Sequence, residues 1–414
     1  MQSSHSLSSV ATTGFPLAGR VNGWLLPLFA LALPLSTSAL SVLAVLIVCT
    51  WLLTGHWPEK WVEISTHPVC RWLGLYLLLF AVGLLWSPAP DAGLAVLADR
   101  WKLALLPVFL TAAQYRHRGL YVNGFLAGMT IAMLLTYLAW FDLVHYADVT
   151  PEHLTRKTTH VVYNPLLALA VYLLLHQVIW EERGRLDRGL RLLLAAAMVF
   201  NMFITEGRAG QMVFFVLLAL LIVQVFRHRL GRALATVALV LPLVFAGAYF
   251  LSPTFQERLE QAWQEAATCR RNPETSIGYR LLYWRNSWQI IREHPLLGVG
   301  TGGFVPAYAA VNERETPRIG PTDNPHNQYI LVTTMFGVPG LAVLLGMFWS
   351  MIRLAGRADP WHRLRLAFPV FFLTIMLTES YLKVYETGLL FAFLGGVLYK
   401  EKETGDSGLH TVQP

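Results

Sequence analysis

Charge is what this sequence has least of. Only 14% of its 414 residues are Asp, Glu, Lys or Arg, well below the share a soluble domain carries, so most of its surface is not built to face water. Cysteine is scarce too. Cys49, Cys70 and Cys269 stand far apart, which excludes a disulfide framework and a paired zinc ligand set. Three signatures are missing: an Asp-x-Asp pair for a metal-held nucleotide sugar, a His-Glu-x-x-His helix and a Gly-x-Ser-x-Gly elbow. Zinc-protease and serine-hydrolase chemistry therefore have no foothold, and neither cofactor nor metal is implied. The net charge of +7 does not read as nucleic-acid binding. Arginine clusters such as Arg227 and Arg229 lie in short gaps between apolar runs, where they encode membrane orientation.

Apolar length is what the chain has in abundance. A bilayer core takes roughly 20 apolar residues in helical form. On that measure the pattern predicts an all-α polytopic membrane protein of about twelve spans, near 22–36, 38–54, 70–86, 101–114, 119–144, 161–180, 190–205, 209–226, 233–251, 327–353, 364–380 and 385–400. The first apolar stretch is too long for a cleaved signal peptide and reads as retained helices. Fourteen Trp and fifteen Tyr suit a chain that needs amphipathic rings at two interfaces.

The basic residues of the short loops then fall on one side. Arg116 and Arg118, Arg183 to Arg188, Arg227 to Arg232, Arg353 to Arg365, and Lys400 with Lys402 alternate onto the same face. That face is expected to be cytoplasmic, together with both termini. Four units follow: an N-terminal bundle over 1–251, an outward loop over 252–326, C-terminal spans over 327–400 and a tail over 401–414. The loop is by far the longest connection, and long ordered loops are usually functional.

Two helices are predicted in that loop, over 254–268 and 276–293, the second with Ser276 as its cap. On the second, Arg280, Trp284 and Trp288 share a face. The loop holds Arg258, Arg270, Arg271, Arg280, Arg285, Arg292, Arg314 and Arg318 but no lysine. Guanidinium forks match phosphate oxygens, so an all-arginine loop suits phosphate recognition; pairing with the loop's glutamates is the plainer account for most of them. The run Gly298 to Gly303 permits close backbone approach, to a ligand among other things. Arg208 lies in a very short turn between two apolar runs, a costly position unless it is paired or useful. His326 and Asn327 stand at the mouth of the next span.

The ordered set Arg208-Ala209-Gly210, Tyr279-Arg280 with Trp284, Pro295-Leu296-Leu297-Gly298-Val299-Gly300, and His326-Asn327 resembles the O-antigen ligase family of the Wzy/WaaL superfamily. The motifs cover about 200–335, and the span layout extends the likeness over most of the chain. The resemblance implies a GT-C-like membrane glycosyltransferase at the outer face of the bacterial inner membrane. It would be metal-independent and inverting, and would move a glycan from undecaprenyl pyrophosphate onto lipid A–core. The family's essential arginines carry over onto Arg208 and Arg280, and its histidine onto His326. Arg208 and Arg280 would stabilise the pyrophosphate leaving group. His326 would either take a proton from the acceptor hydroxyl or hydrogen-bond the pyrophosphate as a cation.

Further substrate-binding candidates are Arg100, Lys102, Arg156, Lys157, His160, Arg285, Trp284 and Asn327. The first five could meet anionic sugars or phosphates, or sit in the headgroup layer. Trp284 could stack on a sugar or anchor the loop helix. An O-antigen polymerase or a protein O-oligosaccharyltransferase would share this pattern and differ in acceptor. A lipid-linked glycan transporter would instead place charges near mid-membrane, whereas here they gather at one rim.

Overall fold

The computed structural model describes residues 16–145, 149, 154, 160–269, 273–356 and 359–402, and among them every regular element is a helix. The N-terminal part runs α1 (Pro16–Ala32), α2 (Thr37–Leu53), α3 (Trp57–Thr66), α4 (Pro68–Val82), α5 (Pro90–Asp99), α6 (Trp101–Ala104), α7 (Leu106–Ala112) and α8 (Arg118–Trp140). Next come α9 (His160–Trp180), α10 (Arg185–Ile204), α11 (Arg208–Val225) and α12 (Leu230–Leu251). The loop contributes α13 (Pro253–Thr268) and α14 (Ser276–Glu293), close to the two helices expected there, and a third, α15 (Phe304–Glu315), that was not expected. The chain closes with α16 (Gln328–Ala355), α17 (His362–Ile375) and α18 (Tyr385–Tyr399).

Six of these segments are long and apolar enough to cross a membrane: Pro68–Trp86, Tyr115–Trp140, Val161–Trp180, Arg208–Val225, Leu230–Leu251 and Gln328–Ala355. A seventh is gained if α2 and α3, bent by 118°, count as one broken span. The expected twelve is thus reduced to six or seven by this measure. The remaining apolar stretches are helical but short, like α18, or interrupted. The 101–114 stretch breaks at Leu105, ahead of Pro107, α1 and α17 are short and contain Pro27 and Pro369, and α10 opens on Arg185, Asp187, Arg188 and Arg191.

Between apolar helices in lipid there is little hydrophobic gain on association, so close backbone approach matters more. Gly124 and Gly128 of α8 press on α1, where an added Cβ would lie 2.6 Å from the Pro27 carbonyl oxygen and 2.2 Å from that of Leu31. α9 is held between α10 and α11, α4 lies on α16, and α18 lies on α7. The buried rings of Phe29, Phe109 and Phe393 meet at 5.0–5.3 Å and lock α1, α7 and α18 together.

The basic gaps do collect at one end of the bundle. Arg118 and Arg365 both approach Asp359, Tyr115 donates to the same carboxylate, and Lys400 pairs with Glu63 at 2.8 Å. The turn at 205–208, the loop helices and the 376–384 turn gather at the other end, tied by Arg208 to Glu265 and by Arg100 and Lys102 to the carbonyls of Leu382 and Lys383.

The glycine-rich run has a different partner from a ligand. Val299 and Gly300 donate to the carbonyls of Thr334 and Met335, Thr301 donates to that of Gly83, and Trp86 Nε1 donates to that of Leu297. The run fills the kink of α16, where Gly337 leaves helical geometry at φ 65°. Its close approach serves protein backbone.

Candidate functional site

Four segments build a cavity of about 350 Å³ at the loop end of the bundle: residues 205–212, the faces of α13 and α14, and the 376–384 turn. Arg208, Arg258 and Arg280 all line it, with Glu206 and Glu265 among them.

The position of Arg208 is set by Asn164, whose side chain is fully buried on α9. Asn164 Nδ2 donates to the Glu206 carbonyl at 2.6 Å, and Thr205 Oγ1 donates to Asn164 Oδ1 at 2.9 Å. The turn can sit this close only because two residues lack a side chain. Gly207 has φ 143°, and an added Cβ on Gly210 would lie 2.3 Å from the Asn164 carbonyl carbon. The Arg-x-Gly spacing therefore has a steric cause. Gly210→Ala is expected to destabilise the fold by about 1–3 kcal/mol, the usual cost of overpacking, and to lower transfer by displacing Arg208. Gly231→Ala, with nothing within 4 Å, should change neither; thermal unfolding and activity of the two variants check this.

Arg208 opens α11 and Ser276 opens α14, so two helix N-termini border the cavity along with the arginines. Free amides and the positive end of the helix dipole favour an anion there. The cap of α14 is Thr275, which accepts from Gly278 N, one residue before the expected Ser276. Arg258 pairs with Glu206, and Arg208 lies 3.7 Å from Glu265. Among the described residues, Arg280 has no carboxylate partner, so its five donors are available to a ligand.

His326, just before α16, packs against α14 one helical turn beyond Arg280. Its ring stacks on Tyr283 at 6.0 Å, and Trp284 Nε1 donates to the Pro325 carbonyl at 2.9 Å. His326 Nδ1 meets Glu379 Oε2 at 2.5 Å, while Glu379 Oε1 accepts from Asn324 Nδ2 and from Ser380 N. Burial would raise the Glu379 carboxyl, but the His326 contact, with the Ser380 and Asn324 bonds, brings it below the usual range. An ionised carboxylate only accepts, so Nδ1 carries the proton toward Glu379, and Nε2 is the other ring nitrogen. The backbone at His326 is left-handed, φ 51°, and is held by Asn324 Oδ1, which accepts from His326 N. The 376–384 turn links the two halves of the site: Thr378 and Tyr381 line the cavity while Glu379 holds the histidine.

The other sequence candidates are placed differently. Arg100 and Lys102 are 4% and 2% exposed and spend their donors on Asp99 and on the carbonyls of Leu382 and Lys383. They brace the turn that carries Glu379. Asn327 caps α16 through Tyr329 N and Ile330 N. Trp284 braces the His326 loop, and Arg285 pairs with Glu315 at the exposed surface. Arg156 and Lys157 lie outside the described residues, as does the side chain of His160. Among the described residues, no three His, Cys, Asp or Glu side chains are grouped to hold a metal ion.

Residues 193–345 match the model of the O-antigen ligase family. The match runs from α10 into α16 and takes in Arg208, Arg258, Arg280 and His326. No curated protein matches the chain. The resemblance first drawn from the Arg-x-Gly, Tyr-Arg and His-Asn motifs is thus met by the O-antigen ligase match over the segment that carries them. It brings with it an activity class: members are glycosyltransferase-like enzymes acting on lipid-linked glycans.

Glu379, outside that match, escaped the sequence reading, as did Glu265, Asn164 and Tyr283. A signal for Glu379 existed, because it is the one acidic residue between Asp359 and Glu386 and directly follows the uncharged, mostly apolar run 366–378. Glu265 gave none, being one of several loop glutamates until folding buried it.

Proposed function

We propose that the protein is an O-antigen ligase of the bacterial inner membrane, transferring glycan from undecaprenyl pyrophosphate onto lipid A–core at the outer face. The observation that carries the reading is the cavity itself. Arg280, with no carboxylate partner among the described residues, converges there with Arg208, Arg258 and two helix N-termini, and the His326–Glu379 pair lies on the adjoining turn. Basic gaps at the opposite end of the bundle support both termini lying in the cytoplasm.

The reaction asks little else of the protein. An acceptor hydroxyl attacks the anomeric carbon from the face opposite the phosphate, and the carbon–oxygen bond to phosphate breaks. Its electron pair stays on the departing pyrophosphate, and the hydroxyl proton goes to His326 Nε2. Configuration at the anomeric carbon inverts. The arginines stabilise the charge that grows on the leaving group, a role other transferases give to a divalent cation. His326 acts as base in this scheme because Glu379 occupies Nδ1 and stabilises the imidazolium that forms.

The test is transfer by purified protein from synthetic undecaprenyl-pyrophosphate glycan, with lipid A–core, carrier-linked glycan and a Ser/Thr peptide offered separately, with and without EDTA. Product on lipid A–core that survives EDTA is the expected result. Elongation of carrier-linked glycan alone would make the protein a polymerase, and a glycopeptide alone a protein O-oligosaccharyltransferase. Loss of transfer in EDTA would overturn the metal-independent mechanism.

A further inference from the structure

The arginine cavity contains its own anion. Glu265 is 8% exposed, and its Oε2 both faces Arg208 Nη1 at 3.7 Å and accepts from Ile277 N, in the first turn of α14, at 3.2 Å. One carboxylate oxygen thus engages an arginine and a helix N-terminus, the two kinds of donor a phosphate oxygen would use. At 3.7 Å the contact with Arg208 is longer than a hydrogen bond, so the guanidinium is free to turn to another acceptor. The cavity's net charge, from Arg208, Arg258 and Arg280 against Glu206 and Glu265, is +1.

The chemistry of transfer makes such a counter-charge useful. A glycan-linked polyprenyl pyrophosphate is a diester with two ionised oxygens. Once the glycosyl bond breaks, the departing carrier has a terminal phosphate, whose last ionisation falls near pH 6 as for other phosphate monoesters. The product therefore carries more negative charge than the donor, and a purely cationic cavity would hold it more tightly than its substrate.

We propose that Glu265 sets the cavity's affinity for pyrophosphate low enough for the spent carrier to leave, as a residue that tunes release and takes no part in bond making. The inference rests on the reading of the cavity as the pyrophosphate site. Glu265→Gln removes the charge while its amide oxygen keeps the bond to Ile277 N. Exposed Glu257 on the same helix, as Glu257→Gln, is the control.

The experiment uses the full chain in nanodiscs, with inorganic pyrophosphate as probe, both by calorimetry and as an inhibitor of transfer. Wild type should bind it, Arg280→Ala should bind it more weakly, and Glu265→Gln should bind it about tenfold more tightly, since one like charge has been removed beside the anion. Steady state should show kcat and donor KM falling together in Glu265→Gln, with Glu257→Gln unchanged. Equal or weaker pyrophosphate binding by Glu265→Gln, with Arg280 still required, would overturn this inference alone. No binding by wild type and Arg280→Ala alike would overturn the pyrophosphate reading, and this inference with it.

Discussion

Arg280→Ala is expected to lower transfer at saturating donor by at least about 100-fold, the scale seen when one preorganised donor to developing charge is removed. The argument turns on what distinguishes this arginine from its neighbours. Arg258 is paired with Glu206 and Arg208 faces Glu265, while Arg280 meets the cavity with no carboxylate partner among the described residues. Its charge is uncompensated in the resting site and therefore most available to a leaving group. The loss should fall mainly on kcat, because charge on the pyrophosphate grows as the bond breaks and Arg280 would meet that charge most strongly in the transition state. Arg280→Lys should recover only part of the activity, since a point charge cannot form the two parallel bonds a guanidinium makes to phosphate. A kcat within a few-fold of wild type in Arg280→Ala would remove the arginine from the mechanism.

His326 carries the second large effect. Removing the proposed general base is expected to cost about 10²–10⁴ in kcat. Alanine alone would be ambiguous, because the residue sits at φ 51° and a left-handed backbone disfavours a side chain. Asparagine tolerates that conformation better than most residues, so His326→Asn should keep the fold and still lose transfer. Glu379→Gln should also lower kcat while leaving donor KM near the wild-type value, as expected of a group that acts through the histidine.

The pH dependence of stability gives an independent reading of the same pair. The Glu379 carboxyl is held below its ordinary 4.5 in the folded protein. A depressed carboxyl stabilises the fold fully above its unfolded value and loses that contribution as the pH falls through the folded one. Thermal unfolding of wild type should therefore show Glu379's contribution as constant from neutral pH down to about 4.5 and lost only below it. Glu379→Gln should lack that acid-side loss, and an identical acid limb in both proteins would break the link.

How far each part could be read in advance follows from the range of the interactions. The helical fold was legible because the apolar runs are long. Two of the three loop helices could be read as well, from the break at Asn272-Pro273 and the run ending before Pro295, while α15 was missed. The span count was less legible. Proline and charge interrupt helices locally without changing how apolar a window looks. Arg208, Arg280 and His326 were singled out by their places in the Arg-x-Gly, Tyr-Arg and His-Asn motifs, whose order resembles the O-antigen ligase family. Arg100 and Lys102 looked equally exposed from their neighbours, yet folding brings the 376–384 turn, distant in sequence, over them.

Sequence alone determined that this is a helical, membrane-type chain with an arginine-only loop and a histidine at a span's mouth, because hydropathy and residue type act locally. Tertiary structure alone decided which arginine lacks a carboxylate and which acid holds the histidine. Those pairings join residues 53 to 57 positions apart, as in His326 with Glu379 and Arg208 with Glu265. A contact across that distance depends on how the helices pack, and no spacing rule within one segment encodes it.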